Sequence, residues 1–224
     1  NLLLRYMDRD MATGIRRIDL RTGESERVFF RPEGNVHNTM VTPDGGTIFV
    51  YSREDGPEKD RMDMVLRTRE VGSGEEEEIF RATGGAENLT LFSALSPDGT
   101  TIAGWRGDGT SAFGRLLTIP ATGGDFREIP TPDGTRLGYQ IAWSRDQRFL
   151  ITTRPEDLND LSNPLRHLVR VDIETGEVHD MGLSGESIMY LRLSPDGRQL
   201  AYVAGSESYE VWVMENFLPG GERR

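Results

Sequence analysis

One short phrase returns four times along this 224-residue chain, and its spacing restricts the fold more than any composition figure does. The copies are Val41-Thr42-Pro43-Asp44-Gly45, Leu95-Ser96-Pro97-Asp98-Gly99, Trp143-Ser144-Arg145-Asp146-Gln147 and Leu193-Ser194-Pro195-Asp196-Gly197. Their last residues lie 54, 48 and 50 positions apart. A second marker runs at the same pitch, out of phase: Arg21-Thr22-Gly23-Glu24, Gly72-Ser73-Gly74-Glu75, Ala121-Thr122-Gly123-Gly124 and Glu174-Thr175-Gly176-Glu177. Self-similarity near fifty residues is the mark of a repeat architecture, in which each unit buries its apolar faces only against its neighbours.

Both markers are tight turns. Pro presets φ at the second position of Ser-Pro-Asp-Gly, Asp tolerates the bridge region, and Gly takes the left-handed conformation that closes a hairpin. In the second marker Gly again supplies a positive φ. The third copy lacks both Pro and Gly, so a different turn shape is expected at Ser144–Gln147. Four lone Asp residues do not make calcium loops, which need five or more oxygens within about twelve residues. Thr131-Pro132-Asp133-Gly134 and Arg31-Pro32-Glu33-Gly34 break the pitch and read as connections between repeats.

The markers cut each repeat into four strands. In one full unit these are Leu91–Leu95, Thr101–Trp105, Arg115–Ile119 and Phe126–Ile129. Alternation is clear in Val169-Arg170-Val171-Asp172-Ile173, and no segment sustains a helical period. The fold class is therefore all-β, and a four-stranded antiparallel unit repeated at this pitch is the blade of a β-propeller. A β-sandwich also has strands every 8–12 residues, but it does not repeat one turn chemistry at a fixed interval. The whole chain reads as one propeller domain, with blades at 1–30 (partial), 36–81, 89–130, 137–181 and 187–219 (partial).

Ser194-Pro195-Asp196-Gly197-Arg198-Gln199-Leu200-Ala201-Tyr202 resembles the repeat of TolB-like, WD-like bacterial propellers. Glu210-Val211-Trp212-Val213-Met214-Glu215-Asn216-Phe217-Leu218-Pro219 resembles the last strand and tail of such chains. The resemblance spans essentially the whole length. It implies a module of the kind attached to peptidase domains, to kinase or winged-helix signalling proteins, or to the periplasmic Tol machinery. A periplasmic or otherwise extracytoplasmic place follows from the resemblance alone. The fold does not imply an activity.

Chemistry is sparse. A nucleophile elbow needs Gly-x-Ser-x-Gly, and Gly182-Leu183-Ser184-Gly185-Glu186 has its second glycine one place early. That segment is expected to be a flexible connection between blades. His37, His167 and His179 form no His-x-x-x-His pair, and there is no cysteine to complete a zinc site or a disulfide. The Glu75–Glu78 run reads as a solvated sheet edge. Gly107-Asp108-Gly109 reads as a hairpin, since it lacks both the further ligands of a calcium loop and the lysine of a phosphate loop. No catalytic residue, metal site or cofactor is expected. A net charge of −11 disfavours nucleic acid and anionic lipid as partners. No apolar run reaches the eighteen or so residues of a spanning helix. Arg outnumbers Lys 25 to 1, which a G- and C-rich genome explains without any functional selection.

What remains is the innermost strand of each blade, which can line a central channel. These are His37-Asn38-Thr39-Met40, Leu91-Phe92-Ser93-Ala94, Tyr139-Gln140-Ile141-Ala142 and Met189-Tyr190-Leu191-Arg192. His37, Asn38, Gln140, Tyr190 and Arg192 are the candidate binding residues. The expected function is a non-catalytic module binding a protein or peptide, as the C-terminal sensing or scaffold part of a larger protein. The alternative is the substrate-gating propeller of a prolyl-oligopeptidase-type peptidase whose catalytic domain lies elsewhere.

The Thr22-Gly23 marker sits between a blade's third and fourth strands, so the chain enters mid-blade. Three strands near Leu2–Tyr6, Ile15–Leu20 and Glu26–Phe30 open it; three near Ile188–Leu193, Gln199–Val203 and Glu210–Met214 end it. With three whole blades between, four and a half blades are present. An open arc is expected, with its end blades well separated and sharing no ladder, and with the missing blades upstream of Asn1.

Overall fold

The computed structural model describes residues 2–7, 12–31, 36–56, 62–83, 89–107, 113–132, 135–157, 159–160, 162–194 and 196–206. Every regular element among them is a β-strand, and all ladders are antiparallel. A three-stranded sheet holds β1 (Leu2–Met7), β2 (Thr13–Ile18) and β3 (Ser25–Arg31). A four-stranded sheet follows with β4 (Val36–Val41), β5 (Thr47–Asp55), β6 (Met62–Glu70) and β7 (Glu76–Ala82). The third is built from β8 (Leu89–Leu95), β9 (Thr101–Gly107), β10 (Phe113–Pro120) and β11 (Arg127–Glu128), with β12 (Leu137–Gly138) also paired to β10. The fourth holds β13 (Ala142–Trp143), β14 (Phe149–Pro155), β15 (Leu165–Asp172) and β16 (Val178–Glu186). Two further strands, β17 (Met189–Leu193) and β18 (Leu200–Val203), begin the last. The strand expected near Glu210–Met214 and the tail-like phrase lie outside the described residues.

Each Ser/Thr-x-Asp turn joins the first and second strands of its sheet and is held by the same hydrogen bonds. The hydroxyls of Thr42, Ser96, Ser144 and Ser194 donate to Asp44, Asp98, Asp146 and Asp196, each at 2.6 Å. Each carboxylate also accepts the backbone N–H two residues on. Each hydroxyl accepts the N–H five residues on, closing the hairpin. Hydrogen bonds to the ionised form favour it, so all four carboxyls are held below their ordinary pKa, the hydroxyl being the largest cause. The degenerate third copy does not differ in shape. Gln147 sits at φ 61, beside Gly45, Gly99 and Gly197 at 76, 78 and 73. Its side-chain amide donates to Asp98 of the preceding sheet at 2.9 Å, which offsets the strain of a left-handed non-glycine residue.

The core lies between sheets, because each middle strand is buried on both faces. In β5 the run Ile48-Phe49-Val50-Tyr51 is fully buried, and alternation divides it. Ile48 and Val50 pack with Ile15 and Phe29 of the first sheet. Phe49 and Tyr51 pack with Phe92, Ile102 and Leu117 of the third. Leu150 and Val169, with Trp143 of their own sheet, pack against Trp105 and Leu116 of the third, while Ile151 and Leu168 face Ile188 and Leu191. A chain of such interfaces is a radial stack of blades.

Gly182–Glu186, expected as a flexible connection, is instead the end of β16, with Ser184 opposite His167 and Gly185 opposite Arg166. The Glu75–Glu78 run is not simply solvated. Glu76 pairs with Arg69 and with Arg31 of the first sheet, and Glu78 with Arg67 and Arg81. Among the described residues no helix could cross a membrane, and no three His, Asp or Glu side chains gather as metal ligands.

Candidate functional site: the inner strands

The inner strands β4, β8, β13 and β17 converge on a cavity of about 490 Å³. Its wall includes Asn38, Ser93, Ile141, Trp143, Leu191 and Arg192. Four sheets contribute because radial stacking brings the first strand of every blade to one axis. Ligand cavities commonly hold about 300–1,000 Å³.

A run of side-chain bonds ties each inner strand to the next blade. Arg5 Nη2 donates to the Val36 carbonyl at 3.0 Å. Asn38 Nδ2 donates to the carbonyls of Phe92 and Ser93 at 3.2 and 3.3 Å. Trp143 Nε1 donates to Ala94 O at 3.0 Å, and the Tyr190 N–H donates to Gln140 Oε1 at 3.1 Å. Two of the five sequence candidates, Asn38 and Gln140, therefore use polar atoms to hold neighbouring blades together. Arg192 lines the cavity and donates only to the adjacent Leu191 carbonyl.

The inner strands are also bulged. An extra residue enters β4 between Val36 and Asn38, β8 between Phe92 and Ala94, and β17 between Met189 and Arg192. A bulge bends its strand and re-aims the side chain it carries, and bulges concentrate next to binding and active sites. Here the re-aimed residues are His37, Ser93 and Tyr190. The Ser93 hydroxyl is buried without a hydrogen-bond partner. Tyr190 has φ 56 and is 59 % exposed. A left-handed non-glycine residue costs about 1–2 kcal/mol, and here that strain presents an aromatic ring to solvent.

His37 and Tyr190 lie at the channel end away from the Ser-Pro-Asp-Gly turns, since each precedes its turn by most of a strand. Two residues that the sequence did not single out join them. His37 is an exposed residue, yet partial desolvation lowers its pKa most, and the guanidinium groups of Arg53 and Arg5 lower it further. Burial also lowers the pKa of Arg5, which lies within electrostatic reach of Tyr190. The first and last sheets share no ladder among the described residues.

No family model matches the chain. It is 33 % identical over 110 residues to a protein named 3-dehydroquinate synthase from Haloarcula marismortui, covering 46 % of this chain and 28 % of that one. Among solved structures it resembles TolB from Acinetobacter baumannii (TM-score 0.61, 16 % identity, 88 % of this chain and 44 % of that one). It also resembles oligogalacturonate lyase from Vibrio parahaemolyticus (TM-score 0.61, 14 % identity, 88 % and 54 %). A third likeness is to a chain of a nidogen/laminin complex (TM-score 0.61, 13 % identity, 90 % and 69 %). The chain spans about half the length of the first two structures and under a third of the synthase. At such identities the likeness is one of fold, and it agrees with the radial stack of four-stranded sheets. The chain has the fold of the TolB-like β-propellers, as an arc of antiparallel blades.

Proposed function

We propose that this chain is a non-catalytic propeller module that binds a protein or peptide partner at its channel, as part of a longer protein. The observation that carries the reading is the convergence of four inner strands on one cavity, with an exposed, strained Tyr190 next in the chain to the lining residues Leu191 and Arg192. An aromatic ring held by the backbone offers contact area at little entropic cost on binding. The resemblance in fold to TolB and to a chain of a protein–protein complex supports the same reading. His37, Asn38, Gln140, Tyr190 and Arg192 are the proposed binding face, Asn38 and Gln140 by keeping it in shape. An extracytoplasmic location remains part of the proposal.

The test is selection of binders from a displayed peptide library by this chain, repeated with Tyr190→Ala and Arg192→Ala. The reading expects binders that both substitutions weaken while the melting temperature holds. Binders indifferent to both substitutions would overturn it. The non-catalytic half is tested separately, because a lyase shares the fold. Purified chain should leave peptide, ester and oligogalacturonate substrates unchanged. Turnover abolished by one point substitution would refute that half.

A further inference from the structure

Two departures from the repeat meet in the channel wall. After the turn hydroxyl three copies carry proline, at Pro43, Pro97 and Pro195, whereas the fourth sheet carries Arg145. Two residues before that hydroxyl three inner strands carry Met40, Ala94 and Ala142, whereas the last carries Arg192. Proline presets the turn and stiffens the unfolded chain, so arginine in its place gives up stability that the other copies keep. Both arginines line the cavity, and no acid is among the described residues of its wall. They also belong to one junction. A Cβ on Gly197, in the turn of the last sheet, would lie 3.2 Å from the Arg145 Cβ, and Arg192 is on the strand that leads into that turn. Among the described residues neither guanidinium has an ion pair; Arg192 donates to the adjacent Leu191 carbonyl at 2.8 Å. Arginines on the sheets nearby are matched, Arg148 with Asp172 and Arg67 with Glu54 and Glu78.

The planar guanidinium is the side chain best shaped to receive a carboxylate. Both arginines are exposed, so water screens them and each contributes modestly on its own. The wall beside them is mostly apolar, through Ile141, Leu191 and Leu193. The Ser93 hydroxyl, buried without a partner in the same wall, adds a neutral donor. A ligand that suits all of these joins a carboxylate to an apolar group. We infer that the channel takes the C-terminal end of a partner's peptide chain, its terminal carboxylate received by Arg192 and Arg145 and an apolar last side chain seated on Ile141, Leu191 and Leu193. The inference rests on the channel-binding reading above and adds which part of the partner enters. A chain end carries both groups on one residue and brings a single run of backbone into a cavity of about 490 Å³, whereas an internal acidic residue brings two. Capture of a terminal carboxylate is a recurring mode of peptide recognition.

The experiment measures, by anisotropy, binding of the full chain to N-terminally rhodamine-labelled Ser-Gly-Ser-Leu as the free acid and as the C-terminal amide. Variants are Arg145→Pro and Arg192→Ala, which restore the residues of the other copies and so keep the fold, with Arg198→Gln in the last turn as control. The free acid should bind more tightly than the amide. Each restoring substitution should weaken the acid about fivefold and leave the amide and the melting temperature unchanged, and the control should alter neither peptide. Equal affinity for acid and amide, with both weakened by Tyr190→Ala, overturns the inference and leaves the channel reading standing. Binding that Arg145→Pro, Arg192→Ala and Tyr190→Ala all leave unaltered overturns both. Failure of the free acid to bind overturns the inference. Octanoate that displaces the free acid at equal concentration assigns the site to a free organic acid and overturns the choice of a peptide end.

Discussion

Gly45 and Gly176 have nearly the same backbone, φ 76 and 72, but different surroundings. A Cβ on Gly45 would meet nothing within 4 Å. A Cβ on Gly176 would lie 2.1 Å from the Pro130 carbonyl oxygen and 2.7 Å from the Thr131 nitrogen, both backbone atoms. Gly176 closes the β15–β16 turn and so presses it against the segment leaving β11 in the previous blade. Alanine at either position incurs the left-handed penalty of about 1–2 kcal/mol, partly offset by about 0.4–1 kcal/mol from a stiffer unfolded chain. Gly45→Ala should therefore cost about 0.5–1 kcal/mol. Gly176→Ala must also push the two backbones apart, which adds about 1–3 kcal/mol or more. Urea unfolding followed by tryptophan fluorescence reads this interface directly, because Trp105 and Trp143 both lie in the cluster between these two blades. The Gly176→Ala midpoint should fall well below that of Gly45→Ala. Equal midpoints would refute the close inter-blade approach from which the difference is calculated.

Asn38→Ala leaves the Phe92 and Ser93 carbonyls without their cross-blade donor and should cost about 1–2 kcal/mol, read as a lower melting temperature. Asp172 accepts the N–H of Thr175 and is paired to Arg148, which together hold its pKa down at about 2. Because that value lies below the unfolded one, its contribution is complete above the ordinary carboxylate range and is lost as pH falls toward 2. Asp172→Asn should flatten the acid limb of a stability–pH curve, and an unchanged limb would contradict this. Glu54 sits within reach of Arg31, Arg67 and Arg81 and is 29 % exposed. Glu54→Gln should cost about 1 kcal/mol at low salt and less at high salt, and a cost independent of salt would contradict the ion-pair reading.

Turn chemistry is local, which is why the repeat could be read from the chain. The hydroxyl, carboxylate and backbone groups that close each Ser/Thr-x-Asp hairpin lie within six consecutive residues. The third copy misled because Gln147 gains its compensating bond from Asp98 in another blade, and a single strand cannot show that. Asn38 and Gln140 were recognisable as inner-strand residues, but their use as ties between blades depends on a neighbour some fifty residues away. The bond from Arg5 to the Val36 carbonyl was the least legible feature, because it joins β1 to a strand of the next sheet 31 residues on. Glu75–Glu78 looked like a bare acidic edge until Arg67 and Arg69 of the adjacent strand and Arg31 of the first sheet were placed beside it.

The convergence of the four inner strands on one cavity is the claim on which the proposed site depends, and one measurement reaches it directly. A benzophenone amino acid placed at position 190 can be photo-activated in dilute, unliganded chain and its adducts mapped by mass spectrometry. Intramolecular adducts on the neighbouring inner strand around Gln140 are expected. Adducts confined to a second molecule, or to the Ser-Pro-Asp-Gly turns, would contradict the convergence.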